Sequence, residues 1–362
     1  MHDFYCLEIA EVKRETPEAI SVRFRIPEPL RAAFRFRPGQ HLNVRAQING
    51  EEQRRSYSIA SGPDDTELRI AIKRIADGRF SHWASATLAP GGALEVAPPT
   101  GRFVLPQAGG QARHIVALAA GVGITPIIAM LKCAMAEEPA TSFTLIYGNR
   151  QPESILFRAE LEDLKDRHLG RLTLLNVLSR NDEMSAPLLQ GRITAEKVRA
   201  FAGTLFKPLE VAHFFLCGPG SMIKDTRRAL LELGVARERV HFEFFAPGGG
   251  AYRQAALATP AASASPTPVA GTAAIAILDG IRHAFVVPPG GHVVDAALAA
   301  GIRVPYSCKG GMCCTCRAKL VEGEATMTTN YSLEPWEMAR GFILTCQAVP
   351  TSERLVVDYD QM

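Results

Sequence analysis

Cys308-Lys309-Gly310-Gly311-Met312-Cys313-Cys314-Thr315-Cys316 is the stretch on which the reading of this 362-residue chain turns. With Cys346 further along it spells C-x4-C-x2-C…C, the spacing of a plant-type [2Fe–2S] site. Four thiolates must surround two irons without a long loop collapsing over them. Gly310 and Gly311 leave backbone N–H groups free to approach the sulfides. Cys313 and Cys316 already supply the x2 pair, so Cys314 is expected to be non-ligating, and the metal ligands are Cys308, Cys313, Cys316 and Cys346. A zinc site with four cysteine ligands is the competing reading, but it prefers two C-x2-4-C knuckles, and here there is one. A Rieske centre is excluded because no Cys-x-His pair occurs. Cys6, Cys133 and Cys217 lie scattered upstream and read as small core residues.

Outward from the cysteines, composition narrows the class. Hydrophobic residues make up 47% and charged residues 21%, enough for packed cores and too apolar for global disorder. A formal net charge of +3 argues against a nucleic-acid partner. The amino terminus carries Asp3, Glu8 and Glu11 and lacks an apolar signal core. The uncharged run from Ile115 to Leu131 is broken by Gly121, Gly123 and Pro126. It is too short for a membrane span and reads as a buried strand turning into a helix. A cytoplasmic protein with no membrane partner is expected, in which clustered cysteines signify metal or redox chemistry and not disulfides.

Residues 248–271, rich in Ala, Pro, Gly and Ser, cannot build a core and read as a linker reaching roughly 25–30 Å as a flexible coil. It separates residues 272–362, an α+β unit that holds the cysteines, from everything before it. Between 107 and 247, apolar runs at 115–119, 143–147, 172–178, 213–217 and 240–245 alternate with helical stretches at 127–137, 156–168, 195–201 and 221–233. That rhythm predicts an α/β domain with a doubly wound parallel sheet. Residues 1–106 alternate with a period of two near 19–26, 42–48, 57–59 and 68–75. Pro38-Gly39, Asn49-Gly50 and Gly62-Pro63 break these runs, so an antiparallel β-barrel is expected.

Ligands of a doubly wound sheet gather at the carboxyl ends of its strands. Gly121-Val122-Gly123-Ile124-Thr125-Pro126 follows the first strand and opens a helix, with Thr125 expected as N-cap and Pro126 as first helical residue. Such a helix start suits a dinucleotide pyrophosphate, although the third glycine of the full fingerprint is missing. The third strand ends in Ser179-Arg180, a hydroxyl and a guanidinium suited to a 2′-phosphate, where an acidic residue would suit NAD. The fourth ends in Cys217-Gly218-Pro219-Gly220 and the last in Glu243-Phe244-Phe245. In the first domain, Arg55-Ser56-Tyr57-Ser58 offers a flavin a cation for its pyrophosphate, an aromatic face for its ring and a hydroxyl near its hydride-accepting nitrogen. Gly78-Arg79-Phe80-Ser81 could start a helix toward the phosphates. A polar strand edge is the plain alternative for the first of these strings.

Taken in order, RSYS, GRFS, GVGITP, LSR, CGPG and CKGGMCCTC resemble the ferredoxin–NADP reductase superfamily with a carboxyl-terminal plant-type ferredoxin domain, over essentially the whole chain. Connecting text such as ELRIAIKRIADGRFSHWA, PPTGRF, LIYGNR, FRAELEDLKDRHLGRL and LQGRITAEK is similar to the reductase subunits of phenylacetyl-CoA epoxidases, multicomponent oxygenases of aerobic phenylacetate degradation. The resemblance implies that Arg55, Tyr57, Ser58, Gly78, Arg79 and Ser81 hold FAD, with Ser56, Lys73 and Phe80 among the cofactor-binding residues. It implies that Gly121, Gly123, Thr125, Pro126, Cys217, Gly218 and Pro219 face the nicotinamide nucleotide and that Ser179 and Arg180 select NADPH over NADH. Ser58, Cys217, Glu243 and Phe245 would form the hydride-transfer site, and the third unit would be β-grasp-like. The long Ala/Pro-rich linker departs from the family pattern.

Electron counting gives the same order. A hydride carries two electrons and a [2Fe–2S] site takes one at a time, so a flavin belongs between them. The expected function is transfer from NADPH through FAD and [2Fe–2S] to the oxygenase component of a di-iron monooxygenase. Three alternatives stand beside it. One is service to a ketosteroid or aromatic-ring hydroxylase. Another is a non-catalytic electron carrier, which would not need residues 1–250. The third is a zinc-stapled binding protein.

Overall fold

The computed structural model describes residues 3–63, 65, 67–180, 186–245 and 271–361. They fall into two compact units on either side of residues 246–270. Apart from Gly271, the expected linker lies outside the described residues.

The amino-terminal unit begins with β1 (Tyr5–Thr16), β2 (Ala19–Arg25), β3 (His41–Ile48), β4 (Glu51–Ser58), β5 (Leu68–Lys73), α1 (Arg79–Thr87) and β6 (Ala93–Val96). The strands pair antiparallel in the order β4-β3-β6-β1-β2-β5. Ile59, just past β4, bridges to Ile70 of β5 and closes the sheet into a barrel. The period of two in 19–26 does what alternation requires. Ile20, Val22 and Phe24 are buried with Leu7, Leu42, Val44, Ile70 and Val96 in the barrel core. Truncating a side chain such as Phe24 there costs about 3–5 kcal/mol.

The same unit continues through β7 (His114–Ala120), α2 (Ile124–Glu137), β8 (Ser142–Asn149), α3 (Arg158–Arg167), β9 (Leu172–Leu178), α4 (Ala195–Phe201), β10 (His213–Gly218), α5 (Gly220–Glu232) and β11 (Val240–Phe244). All five strands are parallel, in the order β11-β10-β7-β8-β9. The uncharged run 115–131 is therefore β7, a turn and the first half of α2. Its lack of charge follows from burial on both sides. Ile124, Ile127, Ile128, Met130 and Leu131 of α2 pack with Ile115 and Phe215 of the sheet and also with Ala19, Ala60 and Ala71 of the barrel. A polar seam runs along the same junction. Lys132 Nζ pairs with Asp65 at 2.6 Å and Glu160 at 2.8 Å, and Arg69 Nη2 meets Glu160 at 2.8 Å.

The second unit contains β12 (Thr272–Leu278), β13 (Ile281–Val287), α6 (Val293–Ala299), β14 (Arg317–Glu322), β15 (Ala325–Met327), α7 (Pro335–Ala339), β16 (Phe342–Leu344), β17 (Ala348–Pro350) and β18 (Arg354–Asp358). Its five-stranded sheet runs β13-β12-β18-β14-β16, with β12 and β18 parallel and the other pairs antiparallel. α6 packs on it through Val293, Val294 and Ala297, giving the α+β layering expected from sequence. Asp279 and Gly280, with φ of 51° and 74°, make the two-residue turn that an antiparallel hairpin favours. Asp360 accepts hydrogen bonds from both of their backbone amides.

Candidate functional site

Strand order decides where the parallel sheet can bind. The chain moves from β7 outward through β8 and β9, then returns to β10 and β11 on the other side. The crevice outside the carboxyl ends of β7 and β10 is therefore the topological switch point. Gly121-Val122-Gly123 leaves β7 there as a single 3-10 turn. Gly121 adopts φ +55°, and its carbonyl accepts from Tyr147 Oη at 2.9 Å. A Cβ at Gly123 would land on the Cys217 carbonyl, so only glycine lets the turn pack against β10.

The helix start differs from expectation. The 3-10 turn runs straight into α2, which makes Gly123 the N-cap and puts Thr125 and Pro126, both buried, inside the first turn. With its neighbours already helical, the Thr125 hydroxyl donates back to Val122 O at 3.0 Å and does not cap.

Four residues expected at a hydride-transfer site come together on the far side of the crevice. Cys217 and Glu243 are register partners in β10 and β11. Phe245 N–H donates to Gly218 O at 3.2 Å. Ser58 Oγ of the barrel donates to Glu243 Oε2 at 3.3 Å. Cys217 is fully buried. Burial first, then the charge of Glu243, pushes its thiol well above the usual range, which leaves it protonated and unreactive. Pro219 is exposed at the N-cap of α5.

On the barrel side, Tyr57 packs on Phe80, ring centroids 5.9 Å apart, and burial raises its phenol pKa. Ser56 Oγ donates to Asn43 Oδ1 at 2.7 Å. Arg55 donates to the Arg54 carbonyl and Gln53 Oε1 and, among the described residues, has no carboxylate partner. Arg79, in contrast, is spent on Glu51 at 2.6 Å. Gly78 is the N-cap of α1, and Ser81 lies inside its first turn. Ser81 donates to Gly78 O at 3.0 Å and braces the turn by accepting from Ile75 N. His41 is the register partner of Ser58. It is buried, and its Nε2 has no hydrogen-bond partner. A guanidinium without a carboxylate, a packed tyrosine and an unmet ring nitrogen beside a serine are the donor set that a flavin's pyrophosphate and polar ring edge call for.

A cleft of about 150 Å³ separates barrel from sheet, and Lys73, Gly121 and Arg180, all expected in cofactor binding, line it together. Glu18, Arg150 and Gln151 line it too, and the sequence reading missed them. Arg150 directly follows β8, so the strand-end rule that found Ser179-Arg180 could have found it. No local signal marks Glu18, which sits at a hairpin tip. Backbone bonds tie the two strand ends, Ser179 N–H to Asn149 O at 3.0 Å and Arg180 N–H to Arg150 O at 2.8 Å. Two guanidinium-bearing residues therefore stand side by side.

In the second unit the expected ligand thiols fall into two pairs. The Cys313 thiol donates to Cys308, and the Cys316 thiol donates to Cys346. The bond from Cys313 is the largest influence on Cys308 and lowers its pKa to about 7. Backbone N–H groups reach the cysteine sulfurs, Gly310 to Cys308 at 3.4 Å and Gly311 to Cys346. Among the described residues no three such donors converge as one metal ion requires. Four thiols gathered in two pairs are the donor set that a two-iron cluster takes. Cys314, in the left-handed region at φ +56°, turns its thiol to Ser332 Oγ at 3.0 Å.

Comparison with known proteins follows the same division. Residues 7–105 match the family described as oxidoreductase FAD-binding domain, 117–228 the oxidoreductase NAD-binding domain and 276–351 the 2Fe-2S iron-sulfur cluster binding domain. The chain is 40% identical over 99% of its length to a subunit of the 1,2-phenylacetyl-CoA epoxidase of Escherichia coli, covering 99% of that protein. It is 34% identical over 98% of its length to the ferredoxin reductase component of 3-ketosteroid-9-alpha-monooxygenase of Rhodococcus rhodochrous, covering 96% of it. Among solved structures, phthalate dioxygenase reductase is similar at a TM-score of 0.59 and 25% identity, with 98% of each chain covered. That protein is described as a modular structure for electron transfer from pyridine nucleotides to [2Fe–2S]. The chain thus belongs to the ferredoxin–NADP reductase superfamily, in the family of NAD(P)H-dependent FAD and [2Fe–2S] reductases that includes these oxygenase components.

Proposed function

We propose that the chain draws electrons from NADPH and delivers them to the oxygenase component of a phenylacetyl-CoA epoxidase, a di-iron enzyme of phenylacetate breakdown. The observation that carries the reductase chemistry is the Ser58–Glu243 contact, which brings the barrel's flavin-type residues onto the switch point of the nucleotide sheet. The 40% identity over 99% of the chain to a phenylacetyl-CoA epoxidase component supports the partner.

When bound, FAD supplies the conversion of a two-electron hydride into single electrons, and the [2Fe–2S] cluster supplies their one-at-a-time passage. The protein's share is orientation and exclusion of water. Arg55 holds the flavin pyrophosphate, Tyr57 covers the ring, and Ser58 hydrogen-bonds its reactive edge. Gly121 and Gly123 let the backbone close on the nucleotide pyrophosphate at the start of α2. Lys73 adds a charge from the barrel side of the cleft. Ser179, Arg180 and Arg150 read the 2′-phosphate, which supports NADPH over NADH. Glu243 and Phe245 close the nicotinamide pocket, with Cys217 packed inert behind them. Cys308, Cys313, Cys316 and Cys346 ligate the cluster. Among the described residues no cysteine forms a disulfide, which supports a cytoplasmic setting. No described helix is long and apolar enough to cross a membrane.

The test is NADPH oxidation by the purified protein mixed with a phenylacetyl-CoA oxygenase complex, with and without phenylacetyl-CoA. Consumption that depends on phenylacetyl-CoA is the expected result. If artificial acceptors are reduced and phenylacetyl-CoA changes nothing, the partner assignment falls and the reductase stands.

A further inference from the structure

Glu18 sits in the two-residue turn between β1 and β2, and its backbone is pinned. Arg74 N–H donates to Glu18 O at 2.7 Å, and Arg74 Nη2 donates to Pro17 O at 2.7 Å. Its half-exposed side chain reaches into the cleft that Gly121 and Arg180 also line. There Oε2 lies 3.2 Å from Lys73 Nζ and Oε1 lies 3.9 Å from Arg150 Nη1. Lys73 holds the carboxyl below its ordinary pKa, so the group is an anion at neutral pH. One carboxylate thus engages a cation from the barrel and a cation from the sheet, and those two cations face the same opening.

We infer that Glu18 is a built-in competitor for the nucleotide's phosphates, a carboxylate that occupies Lys73 and Arg150 and must give them up when a dinucleotide enters. The inference rests on the reading of this cleft as the nucleotide seat. Partly exposed ion pairs of this kind are individually weak. Removing the carboxylate's charge should therefore tighten nucleotide binding by only roughly two- to tenfold. The competitor weakens the spent nucleotide as well as the fresh one, which favours rapid release of product where release limits turnover.

The experiment titrates NADP⁺, which transfers no hydride, into the flavin- and cluster-loaded full chain. Binding is followed by flavin difference absorbance and by calorimetry. Glu18→Gln should bind about two- to tenfold more tightly than the unsubstituted protein, and Lys73→Gln more weakly. The advantage of Glu18→Gln should shrink as salt rises from roughly 0.05 to 0.5 M, a dependence that a purely structural role for Glu18 would not produce. If Glu18→Gln binds no tighter while Lys73→Gln binds more weakly, the competitor role is overturned and the nucleotide seat stands. If neither substitution changes the affinity, both are overturned. Matching melting temperatures of the holoproteins guard against a folding defect.

Discussion

Ser58 Oγ donates to Glu243 Oε2 across 3.3 Å, joining the end of β4 to the last strand of the parallel sheet, 185 residues further along. Neither group is a nucleophile here. What the contact provides is registration, because on the proposed function the hydroxyl assigned to the flavin edge and the carboxylate assigned to the nicotinamide pocket fix each other. Glu243→Ala should slow anaerobic flavin reduction by NADPH by about 100-fold, the scale of a small misplacement of reacting groups, with flavin content unchanged. Glu243→Gln keeps an oxygen acceptor and should lose less. Stopped-flow absorbance of the flavin measures both, and unchanged rates in the alanine variant would remove Glu243 from the site.

Arg180 and Arg150 end adjacent strands and are tied through the Arg180 N–H to Arg150 O bond at 2.8 Å. A guanidinium held on a phosphate is worth roughly 1.5–3 kcal/mol, or about ten- to a hundredfold in affinity. Arg180→Ala should therefore raise the KM for NADPH by that factor and leave the KM for NADH within about twofold. Equal losses for both nucleotides would refute the assignment of the 2′-phosphate to this pair.

The cysteine pairing makes a sharper distinction than the motif alone. Cys314→Ser should keep about two irons per chain and the visible cluster absorbance, because that thiol already faces Ser332. Cys316→Ser should lose most of both, since Cys316 is buried and paired with Cys346. Retention of a full cluster by Cys316→Ser would mean that Cys314 can serve in its place, and the assigned ligand set would then be wrong.

Much of this arrangement was legible in residue order, and the exceptions have physical causes. β9 and α4 occupy the spans read from sequence, 172–178 and 195–201, because β9 buries Leu172, Val177 and Leu178 in the cores on the two faces of its sheet and α4 packs Ala195, Val198 and Phe201 with Val116 and Phe214. The start of α2 was misplaced by two residues because a Thr-Pro pair looks like a cap in isolation. The close contact of Gly123 with the Cys217 carbonyl, a tertiary effect, draws the preceding turn into the helix instead. Arg150 directly follows β8, yet no glycine or hydroxyl beside it marks that strand end as Ser179 and Gly218 mark theirs. Glu18 could not have been found, since its partners come from two other elements and no pattern in 16–19 signals them.

Buried His41 and half-buried His241 make the fold lose stability in acid. Burial depresses His41 to about 4. His241 is also depressed to about 4, mainly by burial and then by the neighbouring His213. His241 stacks on Phe215 at 4.9 Å and meets His213 Nδ1 at 3.1 Å. Arg113, Arg239 and Glu138 act on that partner. Both native states favour the neutral ring, whereas the unfolded chain takes up protons near pH 6.5. Their contribution is complete above about pH 6.5 and is lost as the pH falls from there toward about 4, by up to about 3 kcal/mol for each ring. His241→Phe preserves the stacked ring and removes one of the two titrations. Its melting temperature should therefore fall less steeply than that of the unsubstituted protein over this range and run parallel to it above pH 7. Parallel curves across the whole range would show that His241 protonates freely in the folded protein.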